Sequence, residues 1–117
     1  MADTGYGAPK TRAPAGTTDC HIHFYGTPSE YPAAPTSTLY PPPATPEAYR
    51  AVMRRVGIDR VVVVQPSTYG TDNRCTMDGV AALGEAARAG LVVGGATPAG
   101  ELARLTPLPA RRFPFPL

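Results

Sequence analysis

The only two histidines of the chain stand one residue apart, in Asp19-Cys20-His21-Ile22-His23. Side chains alternate between the two faces of a strand, so Asp19, His21 and His23 are predicted to share one face. The two histidine Cα atoms would lie about 6.6 Å apart, which lets both imidazoles reach one metal ion or one substrate oxygen. Asp19 would be in register to accept a hydrogen bond from an imidazole Nδ1–H. We interpret the pair as functional, against the alternative that it packs on a half-buried strand.

Length and composition restrict the class of protein. A chain of 117 residues with 43% hydrophobic residues suits one globular domain. The net charge of +2 is small and the basic residues are dispersed, which argues against nucleic acid as a partner. Cys20 and Cys75 form no C-x-x-C pair and no secretory leader precedes them, so we expect reduced thiols in a cytoplasmic protein. No apolar run approaches the length of a membrane span, so no membrane partner is expected.

The segment 25–44 follows the histidines and is rich in proline and tyrosine. Proline prevents regular helix and sheet there and stiffens the backbone. Long loops within a domain are usually functional or disordered, and the tyrosines favour a wall or lid of a pocket. The alternative is an extended proline-rich recognition segment.

The next elements are predicted from caps and periodicity. Thr45 is a good N-cap, Pro46 suits the first helical position and Gly57 suits the position after the last turn. The apolar face of this helix comprises Tyr49, Val52, Met53 and Val56, and its solvated face comprises Arg50, Arg54 and Arg55.

The run 61–64 consists of four valines, which predicts a strand covered on both faces in a parallel sheet. The residues that follow it, Gln65, Ser67, Thr68 and Tyr69, would come up beside the histidines, because ligands bind at the carboxyl ends of parallel strands. Ordinary turn chemistry is the competing interpretation of these four residues.

A second helix is predicted over 72–89, in which Gly79 and Gly84 would permit close approach to the sheet. A third strand is predicted over 91–97 and a third helix over 101–105. The order of elements is that of an α/β protein with a parallel sheet. We therefore predict a disordered arm at 1–16, a domain at 17–105 and an irregular tail rich in proline and arginine at 106–117.

Taken in order, several motifs resemble the start of an amidohydrolase-related TIM barrel. They are Asp19-Cys20-His21-Ile22-His23, Leu39-Tyr40-Pro41, Gly57-Ile58-Asp59-Arg60-Val61, Val64-Gln65-Pro66-Ser67 and Gly70-Thr71-Asp72-Asn73. The most similar branch is that of the 2-pyrone-4,6-dicarboxylate lactonase-like and sugar-lactone hydrolases. The resemblance implies the first three βα units of a (β/α)8 barrel, truncated before the remaining five.

The same resemblance implies roles for four residues. His21 and His23 would project into the barrel mouth and polarise the scissile carbonyl of a lactone or small carboxylate substrate without a metal cofactor. Tyr40 and Ser67 would contact the substrate. In the alternative, a zinc-dependent amidohydrolase or decarboxylase, His21 and His23 would bind zinc or another divalent metal.

The family's acid–base aspartate comes from the end of the last strand, and no carboxylate of this chain can be assigned that role. We therefore expect the 117-residue chain to be inactive by itself. An interpretation from another class is a small non-catalytic α/β binding module that uses the loop at 25–44.

Overall fold

The computed structural model describes residues 7, 9–96 and 98–101. In chain order these residues form β1 (Thr18–Ile22), α1 (Pro46–Val56), β2 (Arg60–Val64), α2 (Arg74–Leu83) and β3 (Ala87–Gly90). Short 3-10 turns occupy Ser67–Tyr69 and Gly84–Ala86. Residues 99–101 are helical. Of the third helix predicted at 101–105, residues 102–105 lie outside the described residues.

The three strands form one parallel sheet in the order β1-β2-β3. Parallel strands require crossover connections, which α1 and α2 provide. The predicted α/β architecture is therefore confirmed. Because the strands are parallel, their carboxyl ends lie at one edge of the sheet, where Ile22, Val64 and Gly90 end β1, β2 and β3.

The ends of α1 follow from local chemistry, as predicted. Thr45 has an extended backbone, with φ −98° and ψ 159°, and its side chain accepts a hydrogen bond from the amide of Ala48. Gly57 adopts a left-handed conformation with φ 91°, and its amide donates to the carbonyl of Met53. These contacts satisfy amide and carbonyl groups that a helix end leaves unpaired.

The valine run forms β2, but the helices cover only one of its faces. Val61 and Val63 are 1% and 0% exposed and belong to the hydrophobic core. Val62 and Val64 are only half-buried on the opposite, open face. The prediction that both faces are covered is therefore wrong for the described residues. In a closed barrel the second face would point into the interior, where side chains of other strands fill the space.

The helix predicted over 72–89 and the strand predicted over 91–97 are misplaced. Helix α2 ends at Leu83, Gly84 follows with φ 69°, and β3 occupies Ala87–Gly90. Alanine is the strongest helix former, so an alanine-rich segment resembles helix locally. In the fold Ala87 and Ala89 pair with Val61 and Val63 and are completely buried.

Gly79 allows α2 to approach the end of β1, as predicted. A Cβ atom at this position would lie 2.2 Å from Cδ2 of Phe24, a separation that real Cβ atoms do not adopt. The prediction that Gly84 also permits close approach to the sheet is wrong, because an added Cβ there would meet nothing within 4 Å.

The loop at 25–44 is closed by hydrogen bonds between its two ends. The amide of Tyr25 donates to the carbonyl of Ala44, and the amide of Ala44 donates to the carbonyl of Tyr25, at 3.0 and 2.8 Å. Between them, the amide of Ala34 donates to the carbonyl of Thr68 at 2.8 Å. The hydroxyl of Tyr31 donates to Asp78 on α2. The loop is thus held beside the carboxyl ends of the strands.

The described part of the predicted arm, residues 7 and 9–16, contacts the end of α1. The amide of Ala13 donates to the carbonyl of Val56 at 2.9 Å, and Arg12 Nη1 donates to the carbonyl of Arg54 at 3.1 Å. The predicted tail at 106–117 lies outside the described residues. Among residues 7, 9–96 and 98–101, every helix is too short or too polar to be a membrane span.

Candidate active site

A bulge in β1 rearranges the faces on which its side chains lie. Asp19 pairs with Val61 and Ile22 pairs with Val63, so three steps along β1 match two along β2. Paired residues of neighbouring strands point to the same side of a sheet. Asp19 and Ile22 therefore face the helices, as Val61 and Val63 do.

The bulge places Cys20 and His21 together on the open face. Both line a cavity of about 270 Å³ with Val62 and Val64. The predicted alternation, in which Asp19 shares a face with His21 while Cys20 lies opposite, is therefore wrong. A sequence of strand-forming residues does not reveal a bulge, because the extra residue is defined by its pairing with β2.

The two imidazoles nevertheless lie side by side. The ring centroids of His21 and His23 are 5.0 Å apart, and the rings are nearly perpendicular at 86°. His21 is exposed and His23 is half-buried. The structure thus brings the two candidate catalytic side chains together at the carboxyl edge of the sheet.

The orientation of His23 is fixed by the backbone of β2. Its Nδ1 lies 2.8 Å from the carbonyl oxygen of Val64. A carbonyl oxygen can only accept a hydrogen bond, so Nδ1 carries the proton. In the neutral ring Nε2 is then an acceptor or a metal ligand, and in the imidazolium it is a donor. The expectation that Asp19 would hold an imidazole is wrong, since the Val64 carbonyl has that role for His23.

Asp19 instead connects β1 to α1. Its Oδ2 accepts a hydrogen bond of 2.6 Å from the hydroxyl of Tyr49, and its Oδ1 accepts one of 3.3 Å from the amide of His21. Burial, and then this contact with Asp19, raise the pKa of Tyr49 far above its usual value. Asp19 therefore supports the strand that carries the histidines and does not face the open side.

A series of aromatic rings leads from the histidines into the loop. His23 and Tyr25 have centroids 6.1 Å apart, Tyr25 and Tyr69 are also 6.1 Å apart, and Tyr69 and Tyr31 are 6.3 Å apart. The hydroxyl of Tyr69 accepts a hydrogen bond from the amide of Gly26. Burial raises the pKa of Tyr69, so its hydroxyl stays protonated at neutral pH.

Tyr40 lies on the rim of a cleft at the far end of this series. The cleft has a volume of about 330 Å³ and is lined by aromatic and proline side chains with Thr68. Tyr40 is 74% exposed, and its hydroxyl donates to the carbonyl of Ser37 at 2.9 Å. The predicted pocket wall therefore includes the three loop tyrosines, Tyr25, Tyr31 and Tyr40, and also Tyr69 from the turn after β2.

Of the residues after β2 that were predicted to lie beside the histidines, Ser67 is exposed and Gln65 has a structural role. Ser67 is exposed at the start of the 3-10 turn and lines neither the open-face cavity nor the tyrosine cleft. Gln65 is buried, donates to the carbonyls of Gly70 and Asp72, and accepts from Thr76. The turn-chemistry interpretation therefore holds for Gln65.

The metal-dependent alternative requires more ligands than the two imidazoles of His21 and His23. Within the part of the chain that the structure describes, no group of three or more His, Cys, Asp or Glu side chains could hold a metal ion. A catalytic zinc site usually has three protein ligands and an open position. The pair fits part of such a site, and the further ligands would come from outside the described residues.

The sequence matches a known family over most of its length. The model of the amidohydrolase family matches residues 18–108, which include both histidines. D-galactarolactone isomerase of Agrobacterium fabrum is 39% identical over 101 residues, which cover 85% of this chain and 34% of that protein. The 2-pyrone-4,6-dicarboxylate hydrolase of Comamonas testosteroni is 36% identical over 80 residues, which cover 68% of this chain and 26% of that protein.

A solved structure from Agrobacterium tumefaciens has the same arrangement of strands and helices. It superposes with a TM-score of 0.78 at 35% identity, over 90% of this chain and 38% of its own. The chain thus spans between a quarter and two-fifths of the length of these relatives. Its three parallel strands correspond to the first three βα units of an amidohydrolase TIM barrel. The chain belongs to the amidohydrolase family, in the branch that includes 2-pyrone-4,6-dicarboxylate hydrolase and related lactone-acting enzymes.

Proposed function

We propose that this chain is the N-terminal part of a hydrolase that acts on a lactone, or a similar C–O bond, of a small carboxylate. Relatives that are 39% and 36% identical to it over the aligned residues are named as a lactone isomerase and a pyrone-dicarboxylate hydrolase. The observation that carries the proposal is the pair of imidazoles 5.0 Å apart at the carboxyl edge of the sheet. Active sites of TIM-barrel enzymes lie at this edge.

The two histidines act on the scissile carbonyl. With Nδ1–H of His23 donating to the carbonyl of Val64, the imidazolium form of the ring, and only that form, presents an Nε2–H as a second donor. His21, exposed and edge-on to His23, supplies a second group at the same position. Hydrogen bonds to the carbonyl oxygen stabilise the negative charge that develops when water attacks. The chemistry assigned to the histidines is therefore electrostatic.

A second candidate is a divalent-metal enzyme, and the geometry of His23 favours it as well. When the neutral ring donates from Nδ1 to a carbonyl, the lone pair of Nε2 is available, as in most metal-bound histidines. His21 and His23 would hold the ion. The ion would activate water and polarise the carbonyl as a Lewis acid.

Tyr40 and Ser67 are assigned to substrate contact in either mechanism. Tyr40 is exposed on the cleft that the aromatic rings connect to His23. Ser67 is exposed directly after the carboxyl end of β2. A substrate that reaches from the histidines toward the loop would meet both elements.

The chain alone is proposed to be inactive. Asp19, the carboxylate nearest to the histidines in sequence, faces α1 and accepts from Tyr49. Hydrolysis requires an acid–base group as well as carbonyl polarisation. That group would come from the βα units beyond those described here.

The test uses two proteins, the 117-residue chain and a form extended by the remaining βα units. Hydrolysis of 2-pyrone-4,6-dicarboxylate and D-galactarolactone is followed by NMR, together with the metal content of each sample. We expect activity in the extended form alone, lowered about 100-fold or more by His21→Ala or His23→Ala. Cys20→Ala, in the cavity that His21 lines, is the matched control and should retain activity.

The outcomes separate the candidates. Stoichiometric metal that is lost together with activity on His23→Ala would favour the metal enzyme over the electrostatic mechanism. Turnover by the short chain that His21→Ala abolishes would contradict the proposed inactivity. Binding of the lactone without turnover in the extended form would indicate a binding module and overturn the enzyme proposal.

A further inference from the structure

A second cavity lies at the opposite end of the sheet from the histidines. Its volume is about 410 Å³, within the usual range of small-molecule sites. Asp59 and Ala86, which line it, directly precede β2 and the start of β3, so it lies at the amino ends of the strands. The remaining lining residues come from the arm, from α1 and the connection that follows it, and from the end of α2: Arg12, Arg50, Met53, Arg54, Gly57, Ile58 and Leu83. We call it the arginine groove.

The charge of the arginine groove is strongly positive. Arg12, Arg50 and Arg54 line it against a single carboxylate, Asp59, which leaves two positive charges in excess. Asp59 is also engaged elsewhere, because its Oδ2 accepts a hydrogen bond of 2.6 Å from the amide of Gly16. All three arginine side chains are exposed, so their charges are accessible from solvent.

Two of the guanidinium groups are held by backbone carbonyls. Arg12 Nη1 donates to the carbonyl of Arg54 at 3.1 Å, and Arg50 Nη2 donates to the carbonyl of Ala82. Both carbonyls lie in the last turns of their helices, α1 and α2. A guanidinium has five N–H donors, so each anchored group retains donors for a ligand. The anchoring reduces the side-chain entropy that binding would otherwise cost.

The floor of the groove is apolar. Met53, Ile58 and Leu83 are half-buried and line the cavity between the arginines. A site that joins apolar side chains to a few charged groups fits a ligand with an apolar body and one charged end. Arginine binds phosphate in a bidentate manner, and a phosphate monoester carries a charge of about −2 at neutral pH.

We propose that the arginine groove binds a phosphate monoester of a small molecule with a flat or apolar body. The phosphate contacts Arg12 and Arg54, whose two positive charges balance its negative charge. The body of the ligand lies on Met53 and Leu83. A carboxylate would neutralise only half of the excess charge. The site is separate from the histidine pair and does not depend on the lactone chemistry proposed for it.

The test measures, by isothermal titration calorimetry at low salt, the affinity of the 117-residue chain for three probes. Adenosine monophosphate carries both the phosphate and a flat body, inorganic phosphate carries only the charge, and adenosine carries only the body. We expect adenosine monophosphate to bind at least 10-fold more tightly than either of the others, and its affinity to fall as sodium chloride is raised. Equal affinity for inorganic phosphate and adenosine monophosphate would overturn the assigned ligand class.

Two variants separate binding from helix stabilisation. Arg54→Gln and Arg12→Gln should each weaken adenosine monophosphate binding about 10-fold. Arg55→Gln removes the same charge from α1 at a position outside the groove and should leave the affinity unchanged. If the arginines only stabilise helix ends, Arg54→Gln lowers the melting temperature and leaves the affinity unaltered, and the proposal fails. If Arg54→Gln unfolds, the affinity of Arg12→Gln for adenosine monophosphate tests the proposal instead, because Arg12 lies outside the helices. An unchanged affinity of that variant would overturn the proposal.

Discussion

The hydroxyl of Tyr49 donates to Oδ2 of Asp19 across 2.6 Å and thereby joins α1 to the strand that carries both histidines. Asp19 also accepts from the amide of His21, so one carboxylate links the helix to the backbone of the candidate site. The position of the histidines therefore depends on a contact on the opposite, helix-covered side of β1.

Tyr49→Phe should lower the free energy of unfolding by about 1.5 kcal/mol, because it leaves a half-buried carboxylate without its hydroxyl donor. Urea unfolding at pH 7 measures this change. Tyr40→Phe is the control, since the exposed Tyr40 hydroxyl contacts only a loop carbonyl and its loss should cost less than about 0.5 kcal/mol. Equal losses of unfolding free energy in the two variants would show that the hydrogen bond to Asp19 contributes no more to stability than the exposed contact of Tyr40.

The same residue predicts a pH dependence. Burial and Asp19 raise the pKa of Tyr49 in the folded state, so the neutral phenol is favoured there. This stabilisation is complete below the unfolded value of about 10 and is lost as the pH rises through the folded pKa. The wild type should therefore lose stability above pH 10 more steeply than Tyr49→Phe. Parallel stability curves from alkaline urea titrations would contradict this assignment.

Gly79→Ala should destabilise the protein by about 1–3 kcal/mol, because its methyl group would overlap the Phe24 ring. Gly95→Ala is the matched control, since an added Cβ there meets nothing within 4 Å. Thermal unfolding followed by circular dichroism compares the two. An unchanged midpoint for Gly79→Ala would mean that α2 can move away from β1 without cost.

Thr68→Val should raise the free energy of unfolding by up to about 1 kcal/mol. The Thr68 side chain is 3% exposed, and its hydroxyl has no hydrogen-bond partner among the described residues. Valine has nearly the same shape without the unsatisfied hydroxyl. Thr68→Ser keeps the hydroxyl and removes the methyl, so it should be less stable than the wild type by about 0.8 kcal/mol. The reverse order of the two variants would show that the hydroxyl is satisfied.

Asp72→Asn should reduce the dependence of stability on acid pH. Hydrogen bonds from the Arg74 side chain lower the pKa of Asp72, and the pair is 2.9 Å apart. A lowered folded pKa means that the contribution is present above the unfolded value of about 3.9 and is lost as the pH falls through the folded pKa. The pair is solvent-exposed and therefore screened, so its contribution to stability is small. Urea titrations between pH 2 and pH 6 compare the slopes, and identical slopes would contradict the prediction.

The sequence predicts the elements whose ends depend on local chemistry. Thr45 and Gly57 specify the ends of α1 through bonds to residues three or four positions away, so the cap pattern was sufficient. The pairing of His21 with His23 was predictable for a similar reason, since only one residue separates them in the chain.

The errors concern features that long-range pairing determines. The bulge in β1 exists because Asp19 and Ile22 pair with Val61 and Val63, some forty residues away. Ala87–Gly90 is a strand because β2 pairs with it, although its alanines favour helix. Local periodicity carries no signal for either feature. The roles of Tyr40 and Ser67 remain predictions that depend on the family resemblance.

The bulge also gives the native chain an attachment point for a spectroscopic label. Cys20 is exposed and shares the open-face cavity with His21, while Cys75 is buried. Burial raises the pKa of the Cys75 thiol, which keeps it protonated and unreactive. A maleimide fluorophore or spin label would therefore react at Cys20 and report on ligands that enter beside the histidines, without any engineered cysteine.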